Sequence, residues 1–79
     1  MQSRIREILA SHGKMATDPT SVESSADLYE LGLTSHASVN VMLALEDEFD
    51  IEFPEERLTK ATFTSINSIT EAVEAINND

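Results

Sequence analysis

Between Ser35 and Phe49 the apolar residues recur at the spacing of an α-helix. At about 100° per residue, Val41, Met42, Leu45 and Phe49 gather on one side, and such a stripe needs a core to cover it. The helix is expected to end at Phe49 or Asp50, with Pro54 just beyond. A second apolar pair, Val39 and Leu43, faces another way, more than a quarter-turn round. His36, Asn40, Glu46 and Asp47 lie with it. A small bundle buries one stripe per helix more readily than two. The second stripe therefore widens the core, packs under a loop, or stays open for a partner.

The remaining segments also read as helical. Gln2 to His12 places Ile5, Ile8 and Leu9 at helical spacing, and Gly13 marks a stop. Near the other end, Ile69, Val73 and Ile76 share a face. Ser68-Ile69-Thr70-Glu71 has capping-box spacing, with a start near Ser65 as the alternative. A short turn is expected over Pro54 to Leu58, and another short helical piece near Thr59 to Phe63. The stretch from Gly13 to Thr34 is long for a loop in so short a chain. Met15, Val22, Leu28, Tyr29, Leu31 and Leu33 are placed to pin it, and Asp27-Leu28-Tyr29-Glu30 predicts a short helical turn before Gly32. The expectation is an all-α chain forming one domain over residues 1–79, with three main helices, one short helix and a long loop after the first.

Size and charge narrow the functions open to it. Seventy-nine residues bury too little surface for a deep substrate cavity. There is no cysteine, so disulfides and thiolate metal sites are excluded, and any thiol chemistry must come from an added group. Five Lys and Arg stand against fifteen Asp and Glu, a net charge of −10. That surface repels nucleic acid and anionic membranes and attracts basic protein surfaces. No apolar run reaches the length of a membrane span and no signal peptide is evident, so the cytoplasm is the expected location.

Several constellations fail on inspection. Ser35 and His36 are adjacent, and adjacent helical side chains point about 100° apart, so they do not form a nucleophile–base pair. The acidic run from Glu46 to Glu56 lacks the glycine and ligand spacing of a calcium loop, and no metal site is expected. Gly13 and Gly32 make no phosphate-binding loop. His12 reads as a helix-end residue that favours the dipole there.

Ser35 carries the functional signal. Taken alone, a serine at a helix start reads as an N-cap. Its flanks are more specific: Gly32-Leu33-Thr34 before it, and Met42-Leu43-Ala44-Leu45-Glu46-Asp47-Glu48-Phe49-Asp50-Ile51-Glu52-Phe53-Pro54 after it. The run from Asp27 to Pro54 resembles the core of the acyl carrier protein family. The resemblance implies a four-helix acyl-carrier-like bundle. It also implies covalent 4'-phosphopantetheine on Ser35, with cargo held as a thioester on the terminal thiol. By the same resemblance His36, Val39, Asn40, Leu43, Glu46 and Asp47 are the docking candidates. A phosphopantetheinyl transferase, a loading ligase and a downstream acceptor enzyme are the implied partners of a monomeric carrier that does no catalysis itself.

The family commonly has Asp-Ser-Leu where this chain has Thr34-Ser35-His36. That departure argues against bulk fatty-acid synthesis. Gly32-Leu33-Thr34-Ser35 and Phe49-Asp50-Ile51-Glu52-Phe53-Pro54 look more like small discrete carriers of amino acids. Such carriers are charged by stand-alone ligases resembling the catalytic core of class II aminoacyl-tRNA synthetases. The alternatives are a fatty-acyl or polyketide cargo and, from another class, an unmodified acidic adaptor.

Overall fold

The computed structural model describes residues 2–13 and 18–77. Three helices carry the architecture: α1 (Gln2–His12), α2 (Ser35–Phe49) and α3 (Ile66–Asn77). The expected short fourth helix corresponds to two 3-10 turns, Glu55–Arg57 and Lys60–Phe63, at the two places where short pieces are expected. Pro54 enters the first in an extended conformation, and only three or four residues separate the interruptions, too few for an α-helix to propagate.

One apolar cluster joins the elements. Ile5 and Leu9 of α1, Val41 and Leu45 of α2, and Ile66, Ile69 and Val73 of α3 are fully buried in it. Leu28 from the long connection is buried as deeply. The first expected stripe of α2 thus faces the core, with Met42 and Phe49 at its partly buried edge.

Both helix boundaries near the core are set by local hydrogen bonds. Asp50 adopts the left-handed conformation (φ 52°, ψ 53°) and its N–H donates to the Glu46 carbonyl, as does that of Ile51. The helix therefore stops four residues before Pro54. At α3, the Ser65 hydroxyl accepts from the Ser68 N–H at 3.1 Å, so the cap is Ser65 and the helix starts at Ile66. Ser68, the start expected from the capping-box spacing, lies instead inside the first turn with its own hydroxyl on Ser65 Oγ at 2.9 Å, and the alternative near Ser65 is the one observed.

The long connection is anchored by apolar pins and by a polar clamp. Leu28 and Leu33 are buried, Val22 and Tyr29 pack against the core, and Leu31 is half-buried; Met15 lies outside the described residues. Asp27 Oδ1 accepts from the Tyr29 N–H at 2.9 Å, and Gly32 at φ 113° lets the turn close through Leu33 N–H to the Leu28 carbonyl. The clamp is Arg6. Its guanidinium donates to the carbonyls of Pro19 and Val22 and to Ser24 Oγ. Ser24 in turn accepts the Asn67 N–H through its carbonyl, tying the loop to the start of α3. These contacts fix the approach of the chain into Thr34 and Ser35.

Candidate functional site

Thr34, not Ser35, caps α2. Its backbone is extended (φ −100°, ψ 161°) and its Oγ1 accepts the Ala37 N–H at 3.0 Å. Threonine thus does the capping work that an aspartate would do at the same place. Ser35 becomes the first helical residue, exposed, with its hydroxyl in no hydrogen bond among the described residues. The neighbouring Ser38 differs. It is 8% exposed and its Oγ is committed to the Ser35 carbonyl at 2.7 Å. Of the two serines, Ser35 alone offers a free oxygen to a modifying enzyme.

The same place suits an anion. The amides of Ser35 and His36 have no partner within the helix, and they lie at the positive end of a fifteen-residue dipole. A phosphodiester on Ser35 Oγ fits the free hydroxyl and these open donors. Ser35 also lines a cleft of about 240 Å³. The helix α2 contributes Ser38, Val39 and Met42; the segment after it contributes Leu58, Thr59, Lys60 and Phe63, and Tyr29 of the long connection also lines the cleft. The Lys60 ammonium sits 4.9 Å from the centre of the Tyr29 ring.

The six docking candidates fall into distinct surroundings. Val39 is 50% exposed and Leu43 53% exposed, so the second stripe of α2 is open rather than packed. Val39 borders the Ser35 cleft. Asn40, Leu43 and Asp47 instead border a second groove of about 390 Å³, whose far side is Ser11 and His12 at the end of α1. His36 is exposed at the first turn. Glu46 is half-buried, and its Oε2 accepts the Phe53 N–H at 2.8 Å.

Sequence reasoning missed the opposite wall of the cleft. Leu58 is 46% exposed, and with Val39 and Leu43 it makes the set of exposed large apolar residues among those described. It lies between Arg57 and Thr59 in a non-periodic stretch, so only its apolar character could have flagged it. Among the described residues no group of three or more His, Asp or Glu is placed to hold a metal ion, and no helix is long and apolar enough to cross a membrane.

Comparison with known proteins agrees with this geometry. The family model described as a phosphopantetheine attachment site matches residues 3–73. An aminoacyl carrier protein of Agrobacterium fabrum (strain C58) is 46% identical over 76 residues, covering 96% of this chain and 92% of that protein. A chain in the crystal structure of engineered Bradyrhizobium japonicum glycine:[carrier protein] ligase complexed with carrier protein from Agrobacterium tumefaciens and AMP superposes with a TM-score of 0.90. It is 46% identical, with 94% of this chain and 99% of that chain covered. A chain in the structure of the Bradyrhizobium japonicum ligase complexed with glycylated carrier protein gives a TM-score of 0.76 at 30% identity, over 90% and 95% of the two chains.

Proposed function

This chain belongs to the family of phosphopantetheine attachment-site domains, and from that premise we propose that it is a discrete carrier holding an amino acid as a thioester for transfer between enzymes. The observation that carries the reading is the free, exposed hydroxyl of Ser35, released from capping by Thr34. The covalent 4'-phosphopantetheine of the family supplies the thiol that this cysteine-free chain lacks. Ser35 Oγ is the attachment atom, and the open amides of the first turn receive the phosphodiester. Val39, Leu43 and Asp47, with His36 and Asn40, present an apolar surface edged by acid to partner enzymes. Acidic charge at such a face speeds encounter with basic partners more than it tightens the complex, which suits a carrier that must leave each enzyme.

The chain itself does no catalysis. It acts as a single domain over residues 1–79, a monomer of the cytoplasm. Its partners are a phosphopantetheinyl transferase, a loading ligase resembling the class II aminoacyl-tRNA synthetase core, and an acceptor enzyme. Similarity to an aminoacyl carrier protein and to carriers crystallised with a glycine ligase favours a small amino acid over a fatty-acyl or polyketide cargo.

Intact mass after incubation with coenzyme A and a broad-specificity phosphopantetheinyl transferase tests the attachment. Wild type should gain one phosphopantetheinyl group and Ser35→Ala none. Modification of the Ser35→Ala variant would place the site elsewhere, and no modification of wild type would favour an adaptor. Cargo is tested by releasing the thioester from protein isolated from its native cells with a mild nucleophile. Long-chain acyl groups in place of a small amino acid would sink the amino-acid assignment.

A further inference from the structure

The cleft beside Ser35 is built asymmetrically. Its α2 wall offers Ser35, Ser38, Val39 and Met42, while its opposite wall ends in Leu58 and Lys60. Lys60 is the basic residue among the side chains that line it. In a chain with fifteen acidic residues against five Lys and Arg, a cation left facing a cleft calls for an explanation. The ion pairs among the described residues are Arg4 with Glu7 and Arg4 with Glu48; Lys60 enters neither. Its ammonium rests over the Tyr29 ring at 4.9 Å, a contact with a π face that consumes no hydrogen-bond acceptor. Its N–H donors therefore remain available.

The geometry points to Lys60 as the residue that binds the phosphodiester of an arm attached at Ser35, drawing the first part of that arm into the cleft. This rests on the reading of Ser35 as the attachment site. The diester carries one negative charge and accepts hydrogen bonds only, and a compact ammonium is a suitable point-charge partner for it. Beyond the phosphate, the pantoyl portion of the arm carries two geminal methyl groups. Val39 and Leu58, about half exposed on opposite walls, offer them an apolar seat. At about 240 Å³ the cleft is smaller than the roughly 300–1,000 Å³ of pockets that enclose drug-sized ligands. It suits a segment of the arm, leaving the thiol end and its cargo outside. Tyr29 acts through Lys60, fixing where the ammonium sits.

The test uses the full chain, isotope-labelled, carrying an unlabelled arm installed from coenzyme A, with intact mass and peptide mapping to confirm attachment at Ser35. Isotope-filtered NOE spectra then read proximity between the pantoyl methyls and the methyls of Val39 and Leu58. Clear NOEs are expected in wild type and in Lys60→Arg. They should fall by more than half in Lys60→Gln and on raising salt toward 1 M, where the screening length drops to about 3 Å. Equal NOEs in wild type and Lys60→Gln, or none in wild type, would overturn the role of Lys60 while leaving the carrier reading standing. Failure to modify Ser35 at all would remove both.

Discussion

The carboxylate of Glu46 holds the backbone of Phe53: Oε2 accepts the Phe53 N–H at 2.8 Å, across the end of α2. Phe53 is buried, and its ring lies 5.8 Å from that of Phe63, which lines the cleft beside Ser35. An acid beside the exposed apolar stripe of α2 is thus tied to the wall of the Ser35 cleft. Its neighbour Asp47 is exposed and has no side-chain hydrogen bond among the described residues.

Glu46 and Asp47 should therefore respond differently to truncation. Glu46→Ala leaves the Phe53 N–H unpaired and should cost about 1–3 kcal/mol. Glu46→Gln keeps an acceptor and should melt close to wild type. Asp47→Ala should change stability by no more than about 0.5 kcal/mol while slowing association with a loading ligase, most visibly at low salt. Thermal melts and stopped-flow association rates check both.

Thr34→Ala should destabilise the protein by about 1 kcal/mol through loss of the cap, while Thr34→Asp should retain most of it. Ser35→Ala should have little effect on stability, because its hydroxyl caps nothing. Urea denaturation of the three variants reads this order directly. A larger loss at Ser35 than at Thr34 would contradict the division of roles.

Leu43 and Leu45 sit two residues apart on opposite sides of α2. Leu45→Ala removes a fully buried side chain and should cost about 2–5 kcal/mol. Leu43→Ala trims a side chain that is 53% exposed and should stay within about 0.5 kcal/mol, yet it should weaken loading by the ligase. A stability loss at Leu43 comparable to that at Leu45, with loading unchanged, would make it a core residue.

Arg6→Met removes the donors that gather Pro19, Val22 and Ser24. The expected loss is about 1.5–3 kcal/mol, the scale of a hydrogen bond to a charged group in a part-buried setting. Hydrogen exchange should quicken at the Asn67 amide, which depends on Ser24 for its acceptor. Unchanged exchange there would show that the apolar pins hold the loop alone.

The contrast between Leu45 and Arg6 marks what the sequence made legible. Leu45 belongs to a period, and a period predicts both a helix and its buried face. Ser35 stood out as a candidate for a related reason, since its flanks form a long local pattern. Arg6 belongs to no pattern: its three acceptors lie 13 to 18 residues away and include two backbone carbonyls, which carry no residue signature. Leu58 and Lys60 likewise reach the Ser35 cleft only because the chain turns back after α2. The α3 start shows a finer limit. Ser65 and Ser68 both satisfy the preference for serine at a cap, and three-dimensional packing of Ile66 into the core decides between them.

The assignment of capping to Thr34 has a biological corollary. Since Ser35, the proposed attachment residue, is not one that keeps α2 wound, the bare chain should be fully folded before any arm is attached. Proteases and chaperones, which sense unfolding, then have no cause to clear the bare chain, and a pool of it can wait for modification. The proportion of working molecules would then follow the supply of transferase and coenzyme A.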